Sequence, residues 1–390
     1  MEKVTSGKHT TSLSRVTSLA MERDLPMALW RLPQSETSTL ILSATARRLT
    51  KEDVLEELPP GFIFAPYCDD ESPVFIEGDL RFTVEGDRIT GPVADLESLA
   101  GERDSVDTGA PKTNPLPSRS THATPTNEKQ AYLDLVRKSI DAIAAGRFEK
   151  VVPSRVKTLK LPEHFDRINT YNRLCADHEA LISLVHIPGS GTWMGASPEV
   201  LVSVEDGRIF RTVALAGTQP YHEGTSIKSV AWTQKEIEEQ ALVERYIISC
   251  FKRIRLREYD EHGPKTIIAG NLMHLRSDFT VDMQATGFPQ LGSVMLNLLH
   301  PTSAVCGMPF EPAREFLRDH EGYDRRFYTG YLGPVNVEGN TDIYVNLRCM
   351  QLNDTHALMY AGAGVTADSI PENEWEETEM KFNTLSTSLT

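Results

Sequence analysis

The chain has 390 residues, 40% of them hydrophobic and 24% charged, with a formal net charge of −15 at pH 7. A chain this acidic lacks the basic face that nucleic-acid phosphates require, and it contains no run of about 18 apolar residues that could span a membrane. We therefore expect neither a nucleic acid nor a membrane as partner, although a few well-placed cations could still hold a small anionic substrate.

Residues 1–28 begin with a segment rich in Ser, Thr, Lys and Arg that lacks the apolar core of a secretory signal. We interpret them as a flexible leader. The five cysteines are scattered and include no close CxxC pair. This pattern favours reduced thiols in a cytoplasmic protein over a disulfide framework or a zinc site.

Residues 29–125 are interpreted as a strand-rich N-terminal part of a single domain. Short runs such as STLILSATA and LRFTVEGDRITG alternate apolar and polar residues, which predicts several antiparallel strands, two of them joined by the EGD turn. Residues 101–127 are rich in Pro, Ser, Thr and Asn and carry few apolar side chains. They therefore predict a linker or loop that ends this part.

Residues 126–388 combine long helical patterns with further strands. Thr233-x-x-Glu236 is a capping box that opens one helix, and others are predicted over 288–300 and 311–322. An earlier helix is indicated by apolar residues at helical spacing, which Gly146 would end: Tyr132, Val136, Ile140 and Ile143.

The strand patterns decide the fold class. The segment KVVPSR (150–155) predicts a strand that Pro153 confines to a sheet edge or an irregularity, because proline cannot donate to a ladder. The other strand-rich stretches follow one another instead of alternating strictly with helices. The sequence therefore predicts an α+β fold with mainly antiparallel sheet and not a doubly wound fold.

Glu239 lies on the helix face that also carries Val243, Tyr246 and Cys250. A carboxylate there either lies at the edge of the apolar stripe and reaches water, or is buried with a metal or cation as partner. Charged residues are rarely fully buried, so spacing alone favours the edge position.

The C-terminal segment predicts a helix that Pro371 opens at its first position. Glu377 and Lys381 fall four residues apart on one face, which by itself is typical of an exposed ion pair worth ~0.3 kcal/mol. The preceding small-residue loop, YAGAGV, can offer backbone N–H groups to an anion.

Each of these features is weak alone, but together they form an ordered set. The chain resembles the chorismate-binding enzymes, which include isochorismate, salicylate, anthranilate and aminodeoxychorismate synthases, over about residues 126–385. The resemblance is carried by KVVPSR, GASPE, LAGT, KEIEEQ, HPTSAVCG, the Tyr328 and Arg348 pair, YAGAG and EWEETEMK.

The resemblance implies one large α+β domain in which two packed, mainly antiparallel sheets have helices outside and a central cleft. Residues 126–388 would form the catalytic region and chorismate would be the substrate. Glu239 and Glu377 would hold Mg²⁺, which suits the preference of this ion for a few carboxylates together with substrate oxygens and water.

The resemblance also implies roles for further residues. Lys150 matches the general base that activates water for addition at C2, and Glu199 matches the acid that protonates the departing C4 hydroxyl. Tyr328 and Arg348 match positions that bind the enolpyruvyl carboxylate. The remaining matches recognise the ring carboxylate (Lys381, Gly362 and Gly364) or position the substrate (Thr218 and His300).

Two positions select among the family's activities. Aminodeoxychorismate synthases carry a nucleophilic Lys where this chain has Ala216, and anthranilate synthases usually carry Gln where it has Lys150. A lysine base indicates water as the nucleophile. We therefore predict an isomerase, isochorismate synthase, whose product would supply menaquinone or siderophore synthesis. No segment predicts a coiled coil or an exposed apolar helix, so we expect a monomer. Salicylate synthase, which also eliminates pyruvate, remains the alternative, ahead of an anthranilate synthase component.

The chain departs from the family pattern at three positions. Gln219 follows LAGT where Arg is common, and Gln240 follows Glu239 where His is frequent. Pro153 lies three residues after Lys150 and could alter the local strand. These differences concern the positioning of the substrate more than the class of reaction.

Overall fold

The computed structural model describes residues 11–68, 71–105, 128–221, 230–269 and 272–389, together with residues 224 and 227. Its strands are β1 Thr11–Ser12, β2 Met27–Arg31, β3 Ser38–Leu42, β4 Ala46–Arg48, β5 Gly61–Ala65, β6 Val74–Glu77, β7 Leu80–Glu85, β8 Arg88–Thr90, β9 Lys150–Val151, β10 Ser154–Lys160, β11 Leu181–Ile187, β12 Gly191–Ser197, β13 Val200–Glu205, β14 Ile209–Pro220, β15 Asp260–Ala269, β16 Leu272–Asp282, β17 Gly307–Met308, β18 Tyr331–Val335, β19 Thr341–Val345, β20 Cys349–Leu352 and β21 His356–Gly362. Its α-helices are α1 Leu13–Glu22, α2 Leu96–Ser105, α3 Glu128–Ala144, α4 Arg167–Asp177, α5 Gln234–Arg253, α6 Leu291–Leu299, α7 Phe310–His320 and α8 Pro371–Ser386. Short 3-10 helices span Leu55–Glu57 and Val93–Asp95.

The strands form two large sheets and one small one. The first sheet has ten strands in the order β1-β8-β7-β3-β2-β11-β12-β20-β21-β10, and the second has nine in the order β15-β16-β14-β13-β19-β18-β5-β6-β4. Strands β9 and β17 pair separately. The strand ladders of the described residues are all antiparallel, which confirms the predicted α+β class.

The two large sheets pack face to face through an aromatic layer. Trp193 of the first sheet lies 6.0 Å, centroid to centroid, from Phe64 of the second, and Trp30 lies 5.2 Å from Phe62. Helices cover the outer faces: α1, α4 and α8 pack on the first sheet, and α5 and α6 on the second. Truncating a buried aromatic of this layer to alanine would cost about 3–5 kcal/mol. None of the helices in the described part of the chain is long and apolar enough to cross a membrane.

Local sequence signals account for several element boundaries. The capping box of Thr233 and Glu236 opens α5, and Pro371 occupies the first turn of α8. Gly86, with φ of +59°, makes the turn between β7 and β8. Pro153 separates β9 from β10, which confirms the predicted irregularity.

The N-terminal segment differs from the prediction. The flexible leader predicted for residues 1–28 is wrong from Thr11 onward, while residues 1–10 lie outside the described part. Ser12 caps α1 by accepting a hydrogen bond from the Arg15 N–H, and the apolar face of this helix is buried against the first sheet. The apolar spacing of Leu13, Val16 and Ala20 was the signal for this helix. The loop predicted over 101–127 begins in α2, and its residues 106–127 are not described.

Candidate active site

Lys150 lies in β9, where it pairs with Met308 of β17. Its side chain is buried, and its Nζ donates to Glu239 Oε1 over 2.8 Å. Gly364 leaves room for this lysine, because a Cβ at that position would lie 3.1 Å from Lys150 Cε. The small-residue loop after β21 thus determines where the lysine can extend.

Glu239 occupies the edge of the apolar stripe of α5. Cys250 and Ile247 of this helix are buried in the core against the second sheet, whereas the Glu239 side chain is 36% exposed to solvent. The alternatives for this carboxylate are thereby resolved: it lies at the edge of the stripe, and it has a cation as partner.

The C-terminal helix brings a second carboxylate–lysine pair to the cleft. Lys381 Nζ lies 2.6 Å from Glu377 Oε1 and donates to the carbonyl oxygen of Gly362 over 2.7 Å. Burial lowers the pKa of Lys381, and the charge of Glu377 opposes this shift. The pair is therefore anchored to the end of β21 and is not an ordinary surface ion pair.

Arg348 and Tyr328 line the same region. Arg348 follows β19 with a φ of +47°, and its carbonyl accepts a hydrogen bond from the Ala196 N–H. Burial lowers its pKa, which the nearby Tyr328 and Glu377 oppose. None of the described residues accepts a hydrogen bond from its guanidinium group, which leaves a planar fork suited to a carboxylate.

Tyr328 is buried beside the carboxyl end of β21. Its hydroxyl would lie 3.2 Å from a Cβ at Gly362, and its ring stacks on Tyr360 at 5.4 Å. Burial raises its pKa above the ordinary range, so the hydroxyl stays protonated and can donate.

Glu199 lies in the turn between β12 and β13, where its carbonyl accepts a hydrogen bond from the Val345 N–H. Burial raises the pKa of its carboxyl group from 4.5 to about 7. The charges of Arg348, Lys150 and Lys381 oppose this rise. A carboxylic acid that is half protonated near neutral pH can act as a proton donor.

Nine of the eleven predicted site residues thus converge: Lys150, Glu199, Glu239, Tyr328, Arg348, Gly362, Gly364, Glu377 and Lys381. Thr218 lies in β14 opposite His274 of β16, and its side chain is outside the described part. His300 packs edge-on against Tyr331 at 4.8 Å, and burial lowers its pKa to about 4. His300 is not among the groups that affect the pKa of Glu199 or Arg348.

His274 is a candidate that sequence reasoning missed. Its Nδ1 lies 3.1 Å from the carbonyl oxygen of Gly217, in the LAGT motif. Burial lowers its pKa, the hydrogen bond with Gly217 opposes this shift, and the charge of Arg348 lowers the pKa further, so the imidazole lies within the field of Arg348. The available signal was its place in an apolar strand, LMHL, beside LAGT, which only the pairing of β14 with β16 reveals.

Gln240 supports the strand that carries LAGT. Its side-chain amide is buried, accepts from the Ala216 N–H over 2.9 Å and donates to the Ala214 carbonyl and to Glu244. Gln219 donates to Glu236 at the start of α5. Both glutamines therefore join α5 to β14 and hold Glu239 relative to the sheet.

The donors at the cleft suit a hard divalent cation. Glu239 and Glu377 offer carboxylate oxygens, and each pairs with a lysine. The charges of these two lysines, Lys150 and Lys381, both lower the pKa of Glu199. No cluster of three or more His, Cys, Asp or Glu arranged for a metal occurs among the described residues. Two carboxylates fit Mg²⁺, which completes its coordination with water and substrate oxygens.

Comparison with known proteins places this geometry in context. The sequence model described as chorismate binding enzyme matches residues 87–390. Isochorismate synthase DhbC of Bacillus subtilis is 30% identical over 68% of this chain and 69% of its own length. Isochorismate synthase EntC of Escherichia coli K12 is 28% identical over 66% of each chain. The solved structure of MenF, the menaquinone-specific isochorismate synthase of Escherichia coli, superposes with a TM-score of 0.74 at 20% identity, covering 98% of this chain and 93% of MenF, which shows a shared fold.

Proposed function

Because the chain belongs to the family of chorismate-binding enzymes, we propose that it is an isochorismate synthase, a Mg²⁺-dependent isomerase. The relatives that share its catalytic region and carry this name support the activity. The observation that carries the proposal is the joint placement of Lys150 and Glu199: the charge of Lys150 acts on the carboxyl group of Glu199, whose pKa is raised by burial.

Glu239 and Glu377 would hold the Mg²⁺. When bound, the ion supplies positive charge that binds and orients the ring carboxylate of chorismate. Lys381 and the backbone around Gly362 and Gly364 complete recognition of this carboxylate. The hydrogen bond of Lys381 to the Gly362 carbonyl supports this arrangement, because it fixes the ammonium at the loop.

Arg348 and Tyr328 bind the enolpyruvyl carboxylate. The unused guanidinium fork of Arg348 matches a carboxylate in a bidentate manner, and the protonated Tyr328 hydroxyl adds a donor. Thr218 and His300 are proposed to position the substrate, as their sequence motifs imply.

Lys150 and Glu199 act at opposite ends of the substitution. Lys150, the proposed base, accepts a proton from the water that bonds to C2. The ring double bonds shift, the C4–O bond breaks, and Glu199 gives its proton to the departing hydroxyl, which leaves as water. One water enters and one leaves, so the product is an isomer of chorismate.

The experiment that tests the proposal incubates the protein with chorismate and Mg²⁺ and separates the products by chromatography. A Mg²⁺-dependent isomer of the same mass, without pyruvate, is expected. Salicylate with equimolar pyruvate would replace the proposed activity with salicylate synthase. Unchanged chorismate, with ammonium also supplied, would contradict any chorismate-converting activity.

We further propose that the enzyme works in the cytoplasm as a monomer, without nucleic acid or membrane as partner. The charge of −15 and the scattered cysteines, which include no close CxxC pair, support this assignment. A single species of about 43.5 kDa in sedimentation analysis is the expected result.

A further inference from the structure

Arg325 is a buried cation that the proposed mechanism does not use. Its side chain is 2% exposed, and the guanidinium donates through all of its nitrogens. One N–H group reaches the carbonyl of Val305 over 2.8 Å and another the carbonyl of Val152 over 2.7 Å. The remaining donors reach Thr329 Oγ1 and both carboxylate oxygens of Glu321.

Three of these contacts lie on segments that carry or adjoin site residues. Val152 is two residues after Lys150, and Thr329 follows Tyr328 directly. Val305 leads into β17, whose residues pair with β9 and hence with Lys150. Arg325 therefore joins the segments around residues 152, 305 and 329, which carry or adjoin the proposed base and the tyrosine.

Glu321 extends the same connection to β10. Its Oε1 accepts hydrogen bonds from the N–H and the hydroxyl of Ser154, over 2.7 and 2.6 Å. Ser154 is the β10 residue paired with Gly362, whose carbonyl holds Lys381. The Arg325–Glu321 pair thereby reaches the recognition loop for the ring carboxylate as well.

The aromatic contacts of Arg325 follow the same pattern. Its guanidinium carbon lies 4.6 Å from the ring centroid of Tyr67 and 5.8 Å from that of Tyr328. The carbonyl contacts and the Tyr328 contact together link Arg325 to the segment of Lys150 and to Tyr328. A lysine at this position could not reproduce them, because its three donors radiate from one nitrogen whereas the arginine fork is planar.

We propose that Arg325 is a positioning residue for the reaction: it sets the distance between Lys150 and Tyr328 while touching neither substrate nor metal. The inference rests on the proposed function. A buried ion pair is by itself weak evidence for stability, whereas a misplacement of about 1 Å at a reacting group can cost about 100-fold in rate.

The test is Arg325→Lys, with Arg326→Lys as its matched control. Arg326 is the next residue, and its guanidinium contacts Gln351 and the Ser190 carbonyl instead of the site segments. Both variants are assayed at a temperature where near-UV circular dichroism shows them folded. We expect kcat of Arg325→Lys to fall about 100-fold while KM for chorismate changes less than about threefold, and Arg326→Lys to keep both constants.

A second readout separates positioning from folding. In Arg325→Ala, millimolar guanidinium chloride should restore kcat with saturation, because the free ion can refill the fork, and it should leave Arg326→Ala unchanged. If neither Arg325 variant folds, Glu321→Gln is measured instead. This variant keeps the hydrogen-bond partners of Arg325 at Val305, Val152 and Thr329 but removes the charge of the carboxylate that pairs with it.

The outcomes are distinguishable. A folded Arg325→Lys with kcat within about threefold of wild type, or a folded Glu321→Gln with unchanged kcat when that variant is needed, overturns the positioning role. If the wild type itself forms no isochorismate, the proposed function fails, and the inference about Arg325 fails with it.

Discussion

The Nζ of Lys150 lies 2.8 Å from Oε1 of Glu239, so the proposed base and a proposed metal ligand form one ion pair. Glu377 is likewise paired, with Lys381 at 2.6 Å. A divalent cation at these carboxylates would lie beside the two lysine ammonium groups and share their counter-charges. We therefore expect Mg²⁺ and the lysine ammonium groups to compete for the same carboxylates.

Lys150→Ala tests both roles of the lysine. Loss of the base should lower turnover about 10²–10⁴-fold. Loss of the competing ammonium should strengthen Mg²⁺ binding in the absence of chorismate, which titration calorimetry can measure. Lys138→Ala, on the exposed face of α3, is the control and should change neither quantity. Wild-type turnover in Lys150→Ala would contradict the base assignment.

Glu239→Gln tests the metal assignment. The amide keeps the size of the side chain but removes the charge that a hard cation requires. We expect Mg²⁺ to stop strengthening chorismate binding and turnover to become undetectable. Glu238→Gln is the neighbouring control, because Glu238 is exposed and accepts a hydrogen bond from Gln234 on the same helix. Equal Mg²⁺ dependence in the two variants would remove Glu239 from the metal site.

The pKa of Glu199 predicts a pH dependence. Burial raises this pKa to about 7, and the acid role requires the protonated form. Activity, measured as kcat/KM, should therefore be retained below pH 7 and decline as pH rises through about 7. Glu199→Gln should lose turnover about 10²–10⁴-fold at every pH, since an amide cannot transfer this proton.

Asp342 provides the control for that profile. Burial also raises the pKa of Asp342, to about 6, and the charge of Glu205 raises it further. Glu205 is not among the candidate site residues. Asp342→Asn should leave the decline of kcat/KM above pH 7 in place. If this variant removes the decline, Glu199 is not the group that the profile reports.

The predictable part of this molecule is the part that local sequence determines. The capping box at Thr233 and the proline at position 371 fix where α5 and α8 begin, and both helices occur as expected. The α+β class followed from strand alternation, because clustered strand patterns favour antiparallel pairing. The leader was misjudged because its Ser- and Lys-rich composition outweighed the apolar spacing of Leu13 and Val16, which the first sheet buries.

The pairing of distant segments could not be predicted in the same way. Spacing on α5 could not decide whether Glu239 lies at the edge of the apolar stripe or is buried with a partner. Its partner is Lys150, which lies 89 residues away in the chain. The register of β14 with β16 places His274 beside the LAGT motif, and no local sequence pattern specifies this register. The family resemblance supplied most of the candidate site, because its motifs name residues that lie far apart in the chain.

The two histidines give a direct test of the substrate-positioning residues. His274 adjoins LAGT and is affected by the charge of Arg348, whereas His300 packs edge-on against Tyr331. His274→Asn should raise KM for chorismate about tenfold or more while the protein stays folded. His300→Asn tests the motif-based proposal, which a comparable rise in KM would support. An effect on thermal stability alone would remove His300 from the site.

Gly364→Ala tests how closely the loop after β21 constrains the base. The added Cβ would lie 3.1 Å from Cε and 3.6 Å from Nζ of Lys150, whose flexible side chain would have to move. Because the clash is with a side chain and not with backbone, we expect a folded protein with kcat lowered about tenfold or more and Mg²⁺ binding retained. Gly101→Ala is the control: a Cβ there meets no atom within 4 Å, and alanine in this helix should stabilise the protein by about 0.5–1 kcal/mol. Thermal melts and steady-state kinetics on both variants separate the two effects, and a Gly364→Ala enzyme with wild-type kcat would show that Lys150 does not need the space this glycine provides.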